Sequence, residues 1–177
     1  MELTIVIALL VLALVAIPVA VDAYSRKVKK KRKQFLLQAI SHFAEESELR
    51  FSSQEILNEY SLLGLDGLSR KLVYQHANKL RNETSTVLID LDELKHCTVK
   101  KIHRTLYRYK NKKRKPLAYV NKISLMFQFK TCRPPKEIPF YFSLADNGTD
   151  VLSVYRKALH WEAIITKMIT EPHKKRA

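Results

Sequence analysis

Leu117 to Lys130 reads LAYVNKISLMFQFK, and its alternation decides what kind of domain this chain builds. Tyr119, Asn121, Ile123, Leu125, Phe127 and Phe129 fall on one face of an extended strand, and Val120, Lys122, Ser124, Met126 and Gln128 fall on the other. Upstream, Cys97 to Tyr109 is rich in β-branched and aromatic residues, with a slip at Lys100-Lys101 that predicts a bulge. Between them lies the run Lys110-Asn111-Lys112-Lys113-Arg114-Lys115, followed by Pro116. The pair reads as a long antiparallel hairpin with a basic tip.

Working outward, Ile56–Leu65 and Arg70–His76 flank Asp66-Gly67, a turn signal, and read as a second hairpin. Thr86–Leu91 places Val87, Ile89 and Leu91 on one strand face. Beyond Cys132-Arg133-Pro134-Pro135, Ile138–Phe142 makes one more strand, in which Pro139 marks an edge or a bulge. Asp146-Asn147-Gly148-Thr149-Asp150 supplies a turn and a cap for a helix over Val151–Ile169. Val151, Val154, Tyr155, Ala158, Trp161, Ile165 and Met168 form its apolar stripe, and Glu171-Pro172 stops it.

The N-terminal side is of a different character. Leu3 to Val21 is a run of nineteen residues without a charge. As a helix it reaches about 28 Å, close to the roughly 30 Å of a bilayer core. This predicts a transmembrane anchor over residues 1–24, with Pro18 near its end. The seven basic residues that follow, Arg26, Lys27, Lys29, Lys30, Lys31, Arg32 and Lys33, resist translocation and place the N-terminus outside and the rest in the cytoplasm. A cleavable signal peptide ending near Val21-Asp22-Ala23 is the competing reading, opposed by the absence of a positive segment before the apolar run. A buried core helix is the third. After the basic segment, 25–33, Phe35, Leu36, Ala39, Ile40, Phe43 and Ala44 paint one face of an amphipathic helix over 34–50. Its end is crowded by Glu45, Glu46 and Glu48, against the helix dipole. That face docks on the domain, lies on the bilayer, or pairs with a second copy.

Removing the anchor and its collar leaves about 145 residues, one ordinary domain. The formal charge of +15 equals the seven basic residues of 26–33, the five of 110–115 and the three of Lys174-Lys175-Arg176, so the remaining acids and bases cancel. Beside a bilayer such runs serve topology and headgroup contact. Cys97 and Cys132 read as ordinary thiols, and Asn82 and Asn147 head sequons that matter only with inverted topology.

A search for chemistry leaves no enzyme, cofactor or metal site. Gly64, Gly67 and Gly148 are the only glycines and form no phosphate loop. His42, His76, His96, His103, His160 and His173 show no metal-ligand spacing. His96 and Cys97, near Glu93, point to opposite strand faces. Asp90, Asp92 and Glu93 read as turn residues rather than cation ligands.

Six strand candidates followed by one C-terminal helix resemble the pleckstrin-homology-like (PH-like) domains of uncharacterised bacterial single-span membrane proteins. The segments that carry the resemblance are Leu63-Gly64-Leu65-Asp66 running into Arg70–Tyr74, Val87–Leu94, Ile123–Phe129, Ile138–Phe142 and the Trp161 helix, within residues 55–169. The family has seven strands, one more than is counted here. The resemblance implies an α+β chain: transmembrane helix, amphipathic helix, a PH-like antiparallel β-barrel over 51–170 closed at one corner by the helix, and a basic tail over 171–177. Loops rich in Lys and Arg engage phosphorylated headgroups in such domains, which implies anionic-lipid contact by Lys110, Lys112, Lys113, Arg114 and Lys115 as well as by the 26–33 run. A solvated, edge-protecting tip is the plainer reading. The expectation is a membrane-anchored binding or scaffold domain held against the anionic inner leaflet of a bacterial membrane, with an unidentified protein partner. Nucleic-acid binding by the same runs is the alternative, disfavoured because aromatics near the tip are limited to Tyr107, Tyr109 and Tyr119.

Overall fold

The structure, a computed structural model, describes the backbone of residues 2–78, 83–110, 113–144 and 149–171, with the side chains of 2–16, 107–110, 113–115 and 117 outside that description. In order come α1 (Glu2–Glu46), β1 (Ser53–Asn58), β2 (Ser61–Asp66), β3 (Lys71–Ala77), β4 (Thr84–Asp90), a single 3-10 turn (Leu91–Glu93), β5 (Leu94–Lys110), β6 (Lys113–Phe129), β7 (Lys136–Phe142) and α2 (Val151–Thr170).

The α+β class stands, but two expectations need correction. Anchor, collar and amphipathic helix are not three elements: α1 is one continuous helix of 45 residues. Lys and Arg are good helix formers, so the basic run continues the helix rather than interrupting it. Among the described residues, no helix is long and apolar enough to cross a membrane. The single-span anchor, the integral inner-membrane location and the N-outside orientation therefore do not stand. Most of the Leu3–Val21 run has side chains outside the described residues.

The second correction concerns the barrel. The ladders fall into two antiparallel sheets, β1-β2-β3-β4 and β5-β6-β7, and no barrel closes. The reason lies at β5. The chain leaves β4 through the 3-10 turn, and the backbone N–H of Val99 on the free edge of β5 donates to Glu162 Oε1 of α2 at 3.0 Å. A side chain from the helix thus takes a position that a neighbouring strand would occupy.

The strand missing from the sequence reading sits inside Ile56–Leu65. That run is two strands, β1 and β2, folded about Glu59-Tyr60. No glycine or proline marks the turn. Instead Asn58 Oδ1 accepts the N–H of Tyr60 at 2.9 Å, a side chain imitating a turn carbonyl. The Asp66-Gly67 turn joins β2 to β3 as expected, with Asp66 Oδ1 accepting the N–H groups of Leu68 and Ser69.

Both faces of the first sheet are covered. Leu63, Leu65, Leu72, Tyr74 and Ile89 face the main core, together with Ile123, Leu125, Phe127 and Phe140 of the second sheet and Val154, Ala158, Trp161 and Ile165 of α2. Leu62 and Val73 point the other way, into a smaller cluster with Ile40 of α1 and Leu49. The amphipathic face of α1 therefore docks on the domain, which settles one of the three alternatives for it. Gly64 makes the approach possible, since a Cβ there would lie 2.9 Å from Phe51 Cε1 and 3.0 Å from Ile40 Cδ1. The helix ends after Glu46, where Glu48 takes φ 54° and the N–H of Leu49 reaches the Ala44 carbonyl at 2.9 Å, a Schellman-type closure.

The long hairpin is present, but its irregularity lies elsewhere than expected. The register slips between Ile102 and His103, where Asn121 of β6 is the extra residue, not at Lys100-Lys101. Beyond that point the faces exchange, so Val120 rather than Tyr119 packs against the core. Ser143 holds the bulge, its N–H donating to the Asn121 carbonyl at 2.9 Å. Pro139 lies on the edge strand β7 beside a further register shift.

Candidate anion-binding surface

Seven of the candidate lipid-contact residues ride on α1, and the fold divides them. Lys29 Nζ lies 2.9 Å from Glu59 Oε1, and Arg32 Nη1 lies 3.3 Å from Glu59 Oε2. Arg32 also donates to the Tyr60 hydroxyl at 2.7 Å, with its guanidinium carbon 5.0 Å from the ring centroid. Three residues apart on a helix, Lys29 and Arg32 share one face, and that face clasps the β1–β2 turn. The Glu59 carboxylate holds the Lys29 ammonium above its ordinary pKa by hydrogen bond and charge. Arg26 pairs with Asp22 on its own helix at 2.7 Å. Lys27, Lys30, Lys31 and Lys33 remain exposed on the other sides of the helix. The α1 run is thus partly a structural clasp and only partly a free surface.

The other five candidates lie at the end of the β5–β6 ribbon. The backbone ladder extends to Arg108↔Lys115, Tyr109↔Arg114 and Lys110↔Lys113. Lys112 lies outside the described residues, as do Asn82, Asn147 and the tail Lys174-Lys175-Arg176. Before the tip, His103, Arg104, Thr105 and Leu106 of β5 are all exposed, while Val120, opposite His103, still packs against the core.

The sequence reading missed a signal here. From Leu94 to Lys130 there is no Asp or Glu, while Lys or Arg occupies positions 95, 100, 101, 104, 108, 110, 112–115, 122 and 130. Seven basic residues besides the dense run thus lie on this hairpin, of which Lys122 pairs with Glu137 of β7 at 2.8 Å.

The nearest thing to a reactive cluster dissolves on inspection. Cys97 is buried, and burial, helped by the nearby Glu162 carboxylate, pushes its thiol up to about 12, so it carries no thiolate near neutral pH. Asp92 accepts from Arg70 Nε at 2.7 Å, Glu93 pairs with Arg133 at 2.5 Å, and Asp90 caps the 3-10 turn through the N–H of Asp92. Among the described residues, no group of three or more His, Cys, Asp or Glu is disposed to hold a metal ion.

Arg70, expected as a strand residue, is a buried charge with several partners. It lies in the β2–β3 turn with φ 56°, and its side chain is 8% exposed. Besides Asp92, it donates to the Met168 carbonyl at 2.5 Å and the Glu171 carbonyl at 3.3 Å, capping the C-terminus of α2.

Comparison with protein-family models, curated proteins and solved structures finds no match to this chain. The resemblance to PH-like domains of single-span membrane proteins is corrected accordingly: no family model supports it, the sheets do not close into a barrel, and no spanning helix is found among the described residues.

Proposed function

We propose that this chain is a non-catalytic binding module that engages an anionic phospholipid surface through its β5–β6 ribbon. The supporting observation is the acid-free stretch 94–130, folded into a ribbon exposed at residues 103–106 of its first strand. A basic residue near such a surface contributes about 1 kcal/mol. Lys27, Lys30 and Lys31 on α1 supply a second, weaker contact.

Co-sedimentation of the full chain with phosphatidylglycerol-containing and with phosphatidylcholine vesicles tests this. A preference for the anionic vesicles is expected, removed by high salt and by the pair Arg104→Glu and Arg108→Glu. Equal binding to both vesicles, or an anionic preference indifferent to the charge reversal, refutes it. The ribbon geometry favours a second reading, since a two-stranded ribbon fits the major groove of duplex DNA. Salt-sensitive gel shifts of unrelated duplexes, without a vesicle preference, would put that reading first.

A further inference from the structure

Among the described residues six polar or charged side chains are buried, and five of them are satisfied. Ser61 bonds Tyr74 and His76, Asp66 accepts the N–H of Arg50, Arg70 caps α2, Asn121 bonds Ser143, and Ser124 bonds Glu137. Gln75 is the exception: 2% exposed, its Oε1 has no hydrogen-bond partner. A buried amide left unpaired costs stability and marks a place where something else is meant to bond.

Gln75 lies under the floor of a cleft of about 500 Å³ between α1 and the outer face of β3 and β4. Thr86, directly opposite Gln75 in the ladder, and Thr84 line the strand side. Phe35, His42 and Glu46 line the helix side, with Phe35 presenting a 41% exposed ring. The charge here runs against the rest of the molecule. Glu46 lies at the rim, 3.4 Å from His42 Nδ1, the last turn of α1 carries no basic residue, and the helix C-terminus adds partial negative charge. In a chain of net charge +15, this is a local acceptor site.

We propose that this cleft binds an arginine side chain presented by a partner protein. A guanidinium offers five N–H donors in a plane, which suits an amide carbonyl at the floor, two threonine hydroxyls and a carboxylate at the rim. Its flat face stacks on an aromatic ring such as Phe35 better than an ammonium does. The cleft is larger than one side chain, which leaves room for the residues flanking the arginine.

NMR titration of the full chain with N-acetyl-arginine amide, with the citrulline and norleucine amides as controls, tests the site. Saturable shifts are expected at the Gln75 side-chain amide and the backbone amides of Thr84 and Thr86, at least tenfold weaker with citrulline and absent with norleucine. Gln75→Leu should abolish the response while unfolding at the same or a higher temperature, because it removes an orphaned polar group. Glu46→Gln, at the exposed rim, should weaken binding at least threefold with the fold intact, and it serves if Gln75→Leu does not fold. Absence of saturable shifts, equal shifts from norleucine, or binding unchanged in Glu46→Gln overturns the proposal.

Discussion

Replacing Arg70 with alanine separates a structural keystone from a surface charge. The side chain joins three elements: the β2–β3 turn that carries it, Asp92 in the 3-10 turn, and the last carbonyls of α2. Asp92 is 64% exposed on its side-chain surface and returns to water at little cost. The carbonyls of Met168 and Glu171 lose a charge-assisted donor at a helix end, each bond of that kind contributing about 1.5–3 kcal/mol before non-additivity. With lost packing of the buried stem, Arg70→Ala should cost about 3–4 kcal/mol, toward the lower end of what breaking a buried charged contact costs. For a domain of this size that is a fall in Tm of roughly 10 °C. Arg70→Gly refines the test, because glycine relieves the φ of 56° that any other residue holds at a cost; it should recover about 1 kcal/mol relative to alanine. Arg70→Lys keeps the charge but not the fork and should resemble alanine more than wild type. Urea and thermal unfolding give the numbers, and hydrogen exchange of the Glu171 amide, which bonds the Lys167 carbonyl at the end of α2, localises the effect. A Tm within 2 °C of wild type for Arg70→Ala, or full retention by Arg70→Lys, refutes the capping argument.

Gly64→Ala should destabilise by about 1–2 kcal/mol, since the strain of a Cβ pressed against Phe51 and Ile40 outweighs the entropy gained in the unfolded chain; urea unfolding measures it, and faster exchange in α1 residues 36–44 should accompany it. Iodoacetamide at pH 8 should label exposed Cys132 promptly and buried Cys97 only after denaturation, as mass spectrometry of the intact protein reports. Burial opposes ionisation of Asp66, but the N–H groups of Arg50, Ser69 and Leu68 and the Ser69 hydroxyl outweigh it and lower its pKa below the ordinary 3.8. The stability it lends is therefore fully present above 3.8 and lost as pH falls through the lower folded value, and Asp66→Asn should flatten the acid limb of a Tm-against-pH curve.

What could be read from the sequence depended on whether the deciding contact was local. The α2 stripe is an example: Val154, Ala158, Trp161 and Ile165 are all buried, and Asp150 caps the helix through the N–H of Leu152. The Asp66-Gly67 turn declares itself in the same way. The Glu59-Tyr60 turn does not, because part of what holds it is Arg32 on a helix 28 residues earlier. Alternation also fails where a strand is buried twice. All six residues of β2 are buried, so Ser61–Asp66 offers no alternation to read, and its boundary with β1, Asn58-Glu59-Tyr60, carries no glycine or proline. The faces of β6 are as expected from Ile123 to Phe129 and inverted before the bulge, because a single inserted residue, Asn121, leaves no compositional mark. Of the candidate surface, the dense runs were plain; that Lys29 and Arg32 turn inward to Glu59 was not, since their partner is remote in sequence.

The double burial of β2 also constrains how this sequence can vary. A strand at a protein surface drifts freely on its outward positions, where polar residues exchange at little cost. SLLGLD has no outward positions: Leu63 and Leu65 answer to one packing cluster, Leu62 to the other, and Gly64 to the clearance beneath α1. A larger residue on one side and a smaller one on the other are penalised independently, so tolerated substitutions must satisfy two sets of neighbours through one backbone. Deep mutational scanning of the chain would find its least permissive six-residue window here rather than in the basic runs that dominate its composition.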